Sequence, residues 1–486
     1  MQRLELKTKG DGGKTRRATP GLLAQFVQDV RTGDLWVRLS LLLCGAGYAA
    51  RGQIAKGILV TLVQAAALIC FPIFLLPYLA KFGTLGTVKQ EKVFNMETMQ
   101  NEFNNYDHSF KILLFGLVAL VVLVVAVVLY LKNIRAVREL QSRAEDGKHI
   151  NTFREDVSEG FNRKFYRTLL ALPCLGVVLT TIVPLIVMIL VAFTNYDKQH
   201  LVPSNLFTWV GLENFKTLFT NSLSVTFNYA FGKILVWTLV WSFFATFTNY
   251  FGGILLAMFL NNKRTRIKRF WRTCFVITIA VPQFVSLMLI RNFFANTGIV
   301  NTICANIGAL DLCKQLGLVA PGMSYIPFLS DPNWAKVMII LINMWIGIPY
   351  MMLIATGVLL NIPTELLESA RIDGANAFQS FRKITMPYIR FVTGPYIIST
   401  LVTNINNFNV IYLLQQDVYT TTDQLLANSN AKETDLLVTW LYRLTQDYTN
   451  YKMASVLGVF IFIICAGFTL LAFRAMTRGD KEESFQ

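Results

Sequence analysis

The sequence is short of charge. Only 15% of its 486 residues are Asp, Glu, Lys or Arg, against about 25% in soluble domains. With 54% hydrophobic residues and a mean hydropathy of +0.46, this excludes an ordinary soluble domain and marks a membrane protein. Histidine is scarcer still. His108, His149 and His200 stand far apart, and the seven cysteines contain no CxxC, so no metal site is expected. No G-x-x-x-x-G-K-[ST] loop is present to cradle a nucleotide's phosphates. The apolar runs carry no Asp or Glu at mid-depth, where a proton relay or an ion-coupled carrier needs one. Neither a Ser/His/Asp nor a Cys/His constellation points to an enzyme. No internal repeat supports the inverted design of many secondary carriers. No secretory signal peptide is expected, because the basic first 38 residues lead into a short apolar patch without a cleavage-like site.

What is present is apolar length. Eight charge-free runs, at 57–80, 112–131, 168–196, 234–262, 273–290, 337–360, 391–416 and 453–473, are each long enough for a tilted helix. They predict an all-α membrane protein with eight transmembrane helices. The third, fourth and seventh runs are over-long, and Pro282 predicts a kink in the fifth. The run 39–50 is too short to cross and reads as an interfacial or packed helix. Lys and Arg alternate between the connections. Residues 1–56 hold ten, 132–167 nine and 263–272 six, against four in 81–111 and three each in 197–233, 291–336 and 417–452. This excess predicts that both termini are cytoplasmic, and it makes the net charge of +16 a topology and lipid-headgroup signal rather than a nucleic-acid one. The expected divisions are an N-terminal cytoplasmic or interfacial segment (1–56), two accessory spans with a charged cytoplasmic linker (57–164), a six-span core (165–475) and a cytoplasmic tail (476–486).

One polar segment interrupts the core. Residues 361–387, NIPTELLESARIDGANAFQSFRKITMP, predict a helix starting near Pro363, a left-handed turn at Gly374 and a second helix over 377–384 that stops before Pro387. Glu368-Ser369-Ala370, Gly374 and Ile384-Thr385-Met386-Pro387 follow the spacing E-A-A-x(3)-G-x(9)-I-x-L-P, and Asp373 adds a second acidic point to that of Glu368. The segment thereby resembles the signature of permease subunits of bacterial ABC importers, with Ser and Met at two positions. That resemblance implies a type-I ABC importer core whose cytoplasmic loop docks on an ATPase. WVGLENFKTLF (209–219), INMWIGIPYMM (342–352), NINNFNVIYLL (404–414) and TDLLVTWLYRL (434–444) extend it, from about 165 to 475, towards the larger permease subunit of maltose/maltodextrin importers.

The resemblance implies a sugar held midway across the membrane. Its positions fall here on Ile346, Gly347 and Tyr350, on Thr403, Asn404 and Asn407, and on Gln283. These are the types a neutral sugar requires: amides and hydroxyls that donate and accept, an aromatic face, and a glycine backbone that lets the ligand approach. As a helix spacing, Asn404 and Asn407 share one face; inter-helix bonding is the alternative use of such residues. Ile279 and Gln283 stand where the family carries Tyr and Ser, and Thr403 replaces an aromatic, which implies less stacking and more hydrogen bonding. Asn406 is expected to be structural. The chain itself binds no cofactor. The implied partners are a smaller second permease, two ATPase subunits that use ATP and Mg, and an external sugar-binding protein. The short loop 197–233 leaves no room for an outer domain, which fits a lipid-anchored binding protein and a plasma membrane without a periplasm. Cys304 and Cys313, both expected outside, are either bridged or free. The rival readings are a permease for another sugar or a polyol, a self-contained ion-coupled carrier, and a scaffold that transports nothing.

Overall fold

A computed structural model describes residues 21–96, 99–220, 226–262, 265–415 and 421–479. Residues 1–20 and 480–486, assigned above to cytoplasmic termini, lie outside the described residues. Among those described, seven helices are long and apolar enough to cross a membrane: Ile54–Lys81, Ser109–Glu145, Phe165–Val191, Phe227–Asn261, Pro332–Leu360, Ala377–Gln415 and Tyr451–Arg474. The fifth predicted span, 273–290, is not one helix. Lys268–Ala280 and Gln283–Phe293 meet at 96°. Val281 and Pro282 are extended between them, with Pro282 as the N-cap of the second. Proline lacks the donor that would continue the first helix, so the expected kink is a break.

Two compact units divide the chain. In the first (residues 1–187 and 200–209), Ser109–Glu145 runs well past its predicted end at 131. Residues 132–145 remain good helix formers, and Arg135 pairs with Glu139 one turn on at 3.1 Å. The run 39–50 is not one helix: past the end of Leu35–Leu39 only Ala46–Ala49 is helical, and Leu42 and Leu43 are exposed. Val37 and Tyr48 are buried against Ile134 and Val137, and a Cβ on Gly47 would lie 2.2 Å from Val137. A short antiparallel hairpin, Lys92–Asn95 with Gln100–Phe103, is an addition to the all-helical expectation.

The second unit (188–199 and 210–486) is built around Phe227–Asn261 and Pro332–Leu360. Lipid offers no hydrophobic force to drive two apolar helices together, so close packing must do it. Small residues permit this here: a Cβ on Gly253 would stand 2.5 Å from the Cβ of Met351. Tyr250, Ile254 and Ala257 bury against Met351, Met352 and Ala355. A second cluster places Trp237, Trp241 and Leu287 with Ile339, Ile342 and Val410. These two clusters flank the polar cavity described next.

Candidate functional site

A cavity of about 630 Å³ opens between six helices of the second unit. All seven predicted contacts line it: Gln283, Ile346, Gly347, Tyr350, Thr403, Asn404 and Asn407. Among the described residues, no Asp, Glu, Lys, Arg or His does. Each arrives by a different local device. Gln283 opens the helix after the Pro282 break. Ile346, Gly347 and Tyr350 share one face of Pro332–Leu360. Gly347 is packed so closely that an added Cβ would sit 2.1 Å from Asn249 Nδ2.

The asparagines depart from expectation. The helix containing Asn404 ends at Ile405, and another begins at Phe408, so Asn404 and Asn407 flank a break instead of sharing a continuous helical face. The freed backbone groups are taken up locally. The Asn404 carbonyl accepts from Trp241 Nε1 (3.0 Å) and from the Asn407 amide (3.2 Å). Asn407 Oδ1 accepts from the Val410 amide at 3.3 Å. Irregular backbone at membrane depth is tolerated where it lines a cavity, as here. Asn404 is 6% exposed; its Nδ2 donates to Thr246 Oγ1 (3.0 Å) and its Oδ1 accepts from Asn407 Nδ2 (3.3 Å). The pair thus bonds across to another helix, through Asn404 to Thr246, and to each other, while both residues line the cavity. Asn406 donates to the Val402 carbonyl and to Cys465 Sγ, both at 3.2 Å, yet also contributes to the cavity wall.

Two further asparagines went unnoticed in the sequence. Asn249 Oδ1 and Asn343 Nδ2 are buried without a hydrogen-bond partner, and both residues line the cavity. An orphaned buried acceptor and donor cost free energy unless a ligand or water meets them. The only sequence signal was an amide inside each apolar run. Aromatic surface is also greater than the substitutions at Ile279 and Thr403 implied. Tyr250, Tyr396 and Phe408 join Tyr350, whose ring centroid lies 6.3 Å from that of Tyr396.

The polar segment is a helical hairpin. Thr364–Ile372 forms its first arm, and Gly374 has φ +79°. The Ala375 amide reaches back to the Ala370 carbonyl at 2.8 Å, closing the turn that a left-handed glycine permits. Asn376 and Gln379 then cap the second arm reciprocally, each at 2.8 Å. That arm does not stop before Pro387. A wide turn at Phe381–Thr385, in which the Met386 amide bonds back to the Phe381 carbonyl, carries the helix through the proline and on to Ile405. Widening the turn absorbs the donor that Pro387 lacks. Glu368, Ser369, Asp373 and Gly374 face outward, Ala370 and Ile384 are half-buried, and Ile372 is 86% exposed.

Comparison with known proteins decides the family. Residues 249–479, which hold the hairpin and every cavity-lining residue but Thr246, match the model described as binding-protein-dependent transport system inner membrane component. The maltodextrin transport system permease protein MdxF of Bacillus subtilis is 32% identical over 449 residues, 90% of this chain and 95% of that one. The maltodextrin permease MalC of Streptococcus pneumoniae is 33% identical over 380 residues, 78% of this chain and 84% of its own. The galactooligosaccharides permease GanP of B. subtilis is 31% identical over 383 residues, 78% and 85% respectively. The chain belongs to this family. It is a multi-pass membrane permease component of an ABC transport system.

In this permease Cys304 and Cys313 are free thiols. They sit on separate short helices, Ile299–Asn306 and Ala309–Gln315, and each packs against the apolar cluster around Trp241.

Proposed function

We propose that this chain is the larger membrane subunit of an ATP-driven importer for a maltodextrin-type oligosaccharide. The observation that carries the reading is the neutral cavity, with orphaned amide groups at Asn249 and Asn343 and the ring of Tyr350 exposed beside them. Hydroxyls both donate and accept, so a sugar can meet both orphans at once, and its apolar face can lie on a tyrosine. In this reading Gln283, Thr403, Asn404 and Asn407 bond hydroxyls, while Ile346 and Gly347 shape the floor. The exposed hairpin docks on one of two ATPase subunits, which use ATP and Mg. Glu368, Ser369, Ala370, Asp373 and Gly374 form the knob, and Ile384 and Pro387 lie on the arm that joins it to the cavity.

The continuous helix from 377 to 405 gives this arrangement its mechanics. One end is the second arm of the hairpin, next to the knob, and the other carries Thr403 and Asn404. Rotation of that arm therefore reaches the ligand along one helix. A ligand shifts the inward–outward equilibrium only as far as it binds one state better, and side chains on a moving helix supply that difference. A smaller second permease completes the pathway. Both termini and the hairpin lie on the cytoplasmic side, and a lipid-anchored binding protein delivers the sugar at a plasma membrane without a periplasm.

A galactooligosaccharide is the second reading, supported by the similarity to GanP. Uptake of labelled maltotriose and of a galactosyl trisaccharide by the assembled transporter in proteoliposomes separates the two. Maltotriose uptake should exceed the other and fall about tenfold in Asn404→Ala plus Asn407→Ala, as expected for lost hydrogen bonds. Absence of maltotriose uptake and binding overturns the maltodextrin assignment.

A further inference from the structure

The first unit contains a second, polar cavity of about 570 Å³, which the transport reading leaves unused. It lies between the start of Ile54–Lys81, the extension of Ser109–Glu145 and the helix Phe153–Phe161. Most of the charge around it is already spent. Lys56 Nζ is 2.5 Å from Asp156, Lys164 is 3.1 Å from Glu159, and Glu139 is held by Arg135 at 3.1 Å. Two cations remain. Arg143 and Arg163 line the cavity, and among the described residues neither guanidinium has a carboxylate within salt-bridge distance. Gln53 forms part of the wall and is only 2% exposed. Its Nε2 donates to the Asn151 carbonyl and to Asp156 Oδ2 (3.4 Å), while its Oε1 is buried with no partner.

The vacant groups thus comprise two guanidinium ions and one buried acceptor. An anion alone satisfies the first and leaves the second orphaned. A phosphate ester that also carries a free hydroxyl satisfies both. Such a group reaches the cavity either as a soluble polyol phosphate or as a lipid headgroup. Depth favours the lipid. Lys56 stands in the first turn of a membrane span, and Phe153, Val157 and Phe161, four residues apart on one face of their helix, are exposed beside the cavity. An exposed apolar stripe next to a basic pocket is the pattern of a helix lying in the headgroup layer. We propose that this cavity binds the headgroup of an anionic, hydroxyl-bearing phospholipid, held by Arg143 and Arg163 at the phosphate and by Gln53 at a hydroxyl.

Native mass spectrometry of the delipidated full chain, titrated with phosphatidylglycerol, phosphatidic acid, phosphatidylcholine or glycerol 3-phosphate, tests this. The wild-type chain should retain phosphatidylglycerol best. Arg143→Gln plus Arg163→Gln should weaken that retention about thirtyfold, from about 1 kcal/mol for each basic group, with the detergent-state unfolding temperature unchanged. Gln53→Met should abolish the preference for phosphatidylglycerol over phosphatidic acid. Equal retention of phosphatidylcholine by the wild type, or undiminished phosphatidylglycerol retention by the double variant, overturns the site. Binding of glycerol 3-phosphate without the lipid overturns the lipid assignment.

Discussion

The cavity and the hairpin sit at opposite ends of one helix and are built on opposite principles. In the cavity, polar groups are buried and partly consumed by each other: Asn404 serves Thr246, Asn407 and, through its carbonyl, Trp241. In the hairpin, side chains such as Ile372 and Phe378 stand in solvent, and its conformation rests on backbone and capping bonds at Gly374 and Asn376. A residue of the cavity therefore works for both packing and ligand, whereas an exposed hairpin side chain is free to work for a partner alone. Substitutions at the first should disturb stability and transport together. Substitutions at the second should separate them.

The largest expected effect is at Gly347. A leucine there would push its Cβ to within 2.1 Å of Asn249 Nδ2 and project the rest into the cavity. Overpacking of about 1–3 kcal/mol is expected together with loss of the ligand's place. Gly347→Leu should reduce sugar uptake by about 100-fold or more and lower the unfolding temperature as well. A variant with full thermal stability and no uptake would show that this wall serves only the ligand, and the contrast between the two regions would weaken.

Gly374→Val comes next and should behave in the opposite way. Open space surrounds that position, so a side chain meets nothing; the cost is the left-handed backbone, φ +79°. For an ordinary L-residue this is about 1–2 kcal/mol, borne by an exposed turn. Sugar binding by the purified transporter should be unchanged and the unfolding temperature only slightly lowered, while sugar-stimulated ATP hydrolysis drops about tenfold. Equal losses of binding and hydrolysis would erase the distinction.

The two regions also differed in how far the sequence disclosed them. The hairpin is contiguous, so its helix, glycine turn and second arm followed from spacing and turn chemistry alone. Its one misreading was local: Pro387 signals a helix end, but the wide turn at Phe381–Thr385 lets the helix continue. The cavity draws on residues from 246 to 409. Family resemblance supplied seven of its residues, yet no periodicity reveals that Asn249 and Asn343 lose their partners on packing, or that the carbonyl freed at Asn404 accepts from Trp241 on another helix. Such facts exist only once helices meet. The membrane spans themselves were legible because length and hydropathy act locally, and the broken one was missed as a break because a proline alone does not set its angle.

Acid supplies the smallest effect and isolates the cavity from the rest of the fold. Among the described residues no carboxylate, imidazole or amine lines the cavity, so sugar affinity should stay within about twofold between pH 7 and pH 5. Acid should act elsewhere first. Asp423 caps Gln424–Asn428 and receives Lys233 Nζ at 2.6 Å and Tyr229 OH at 2.8 Å. Burial alone would raise its pKa, but these bonds outweigh it and hold the carboxyl at about 2. Its folded value lies below the unfolded one of about 4, so its stabilisation is full above that pH and is lost as the pH falls through 2. The loss is about 2 kcal/mol. Asp423→Asn should remove this arm from an unfolding titration between pH 4 and pH 2 while leaving sugar affinity at pH 7 unchanged. If affinity instead follows protonation between pH 7 and pH 5, a titratable group reaches the ligand, and the cavity is not the neutral site its lining describes.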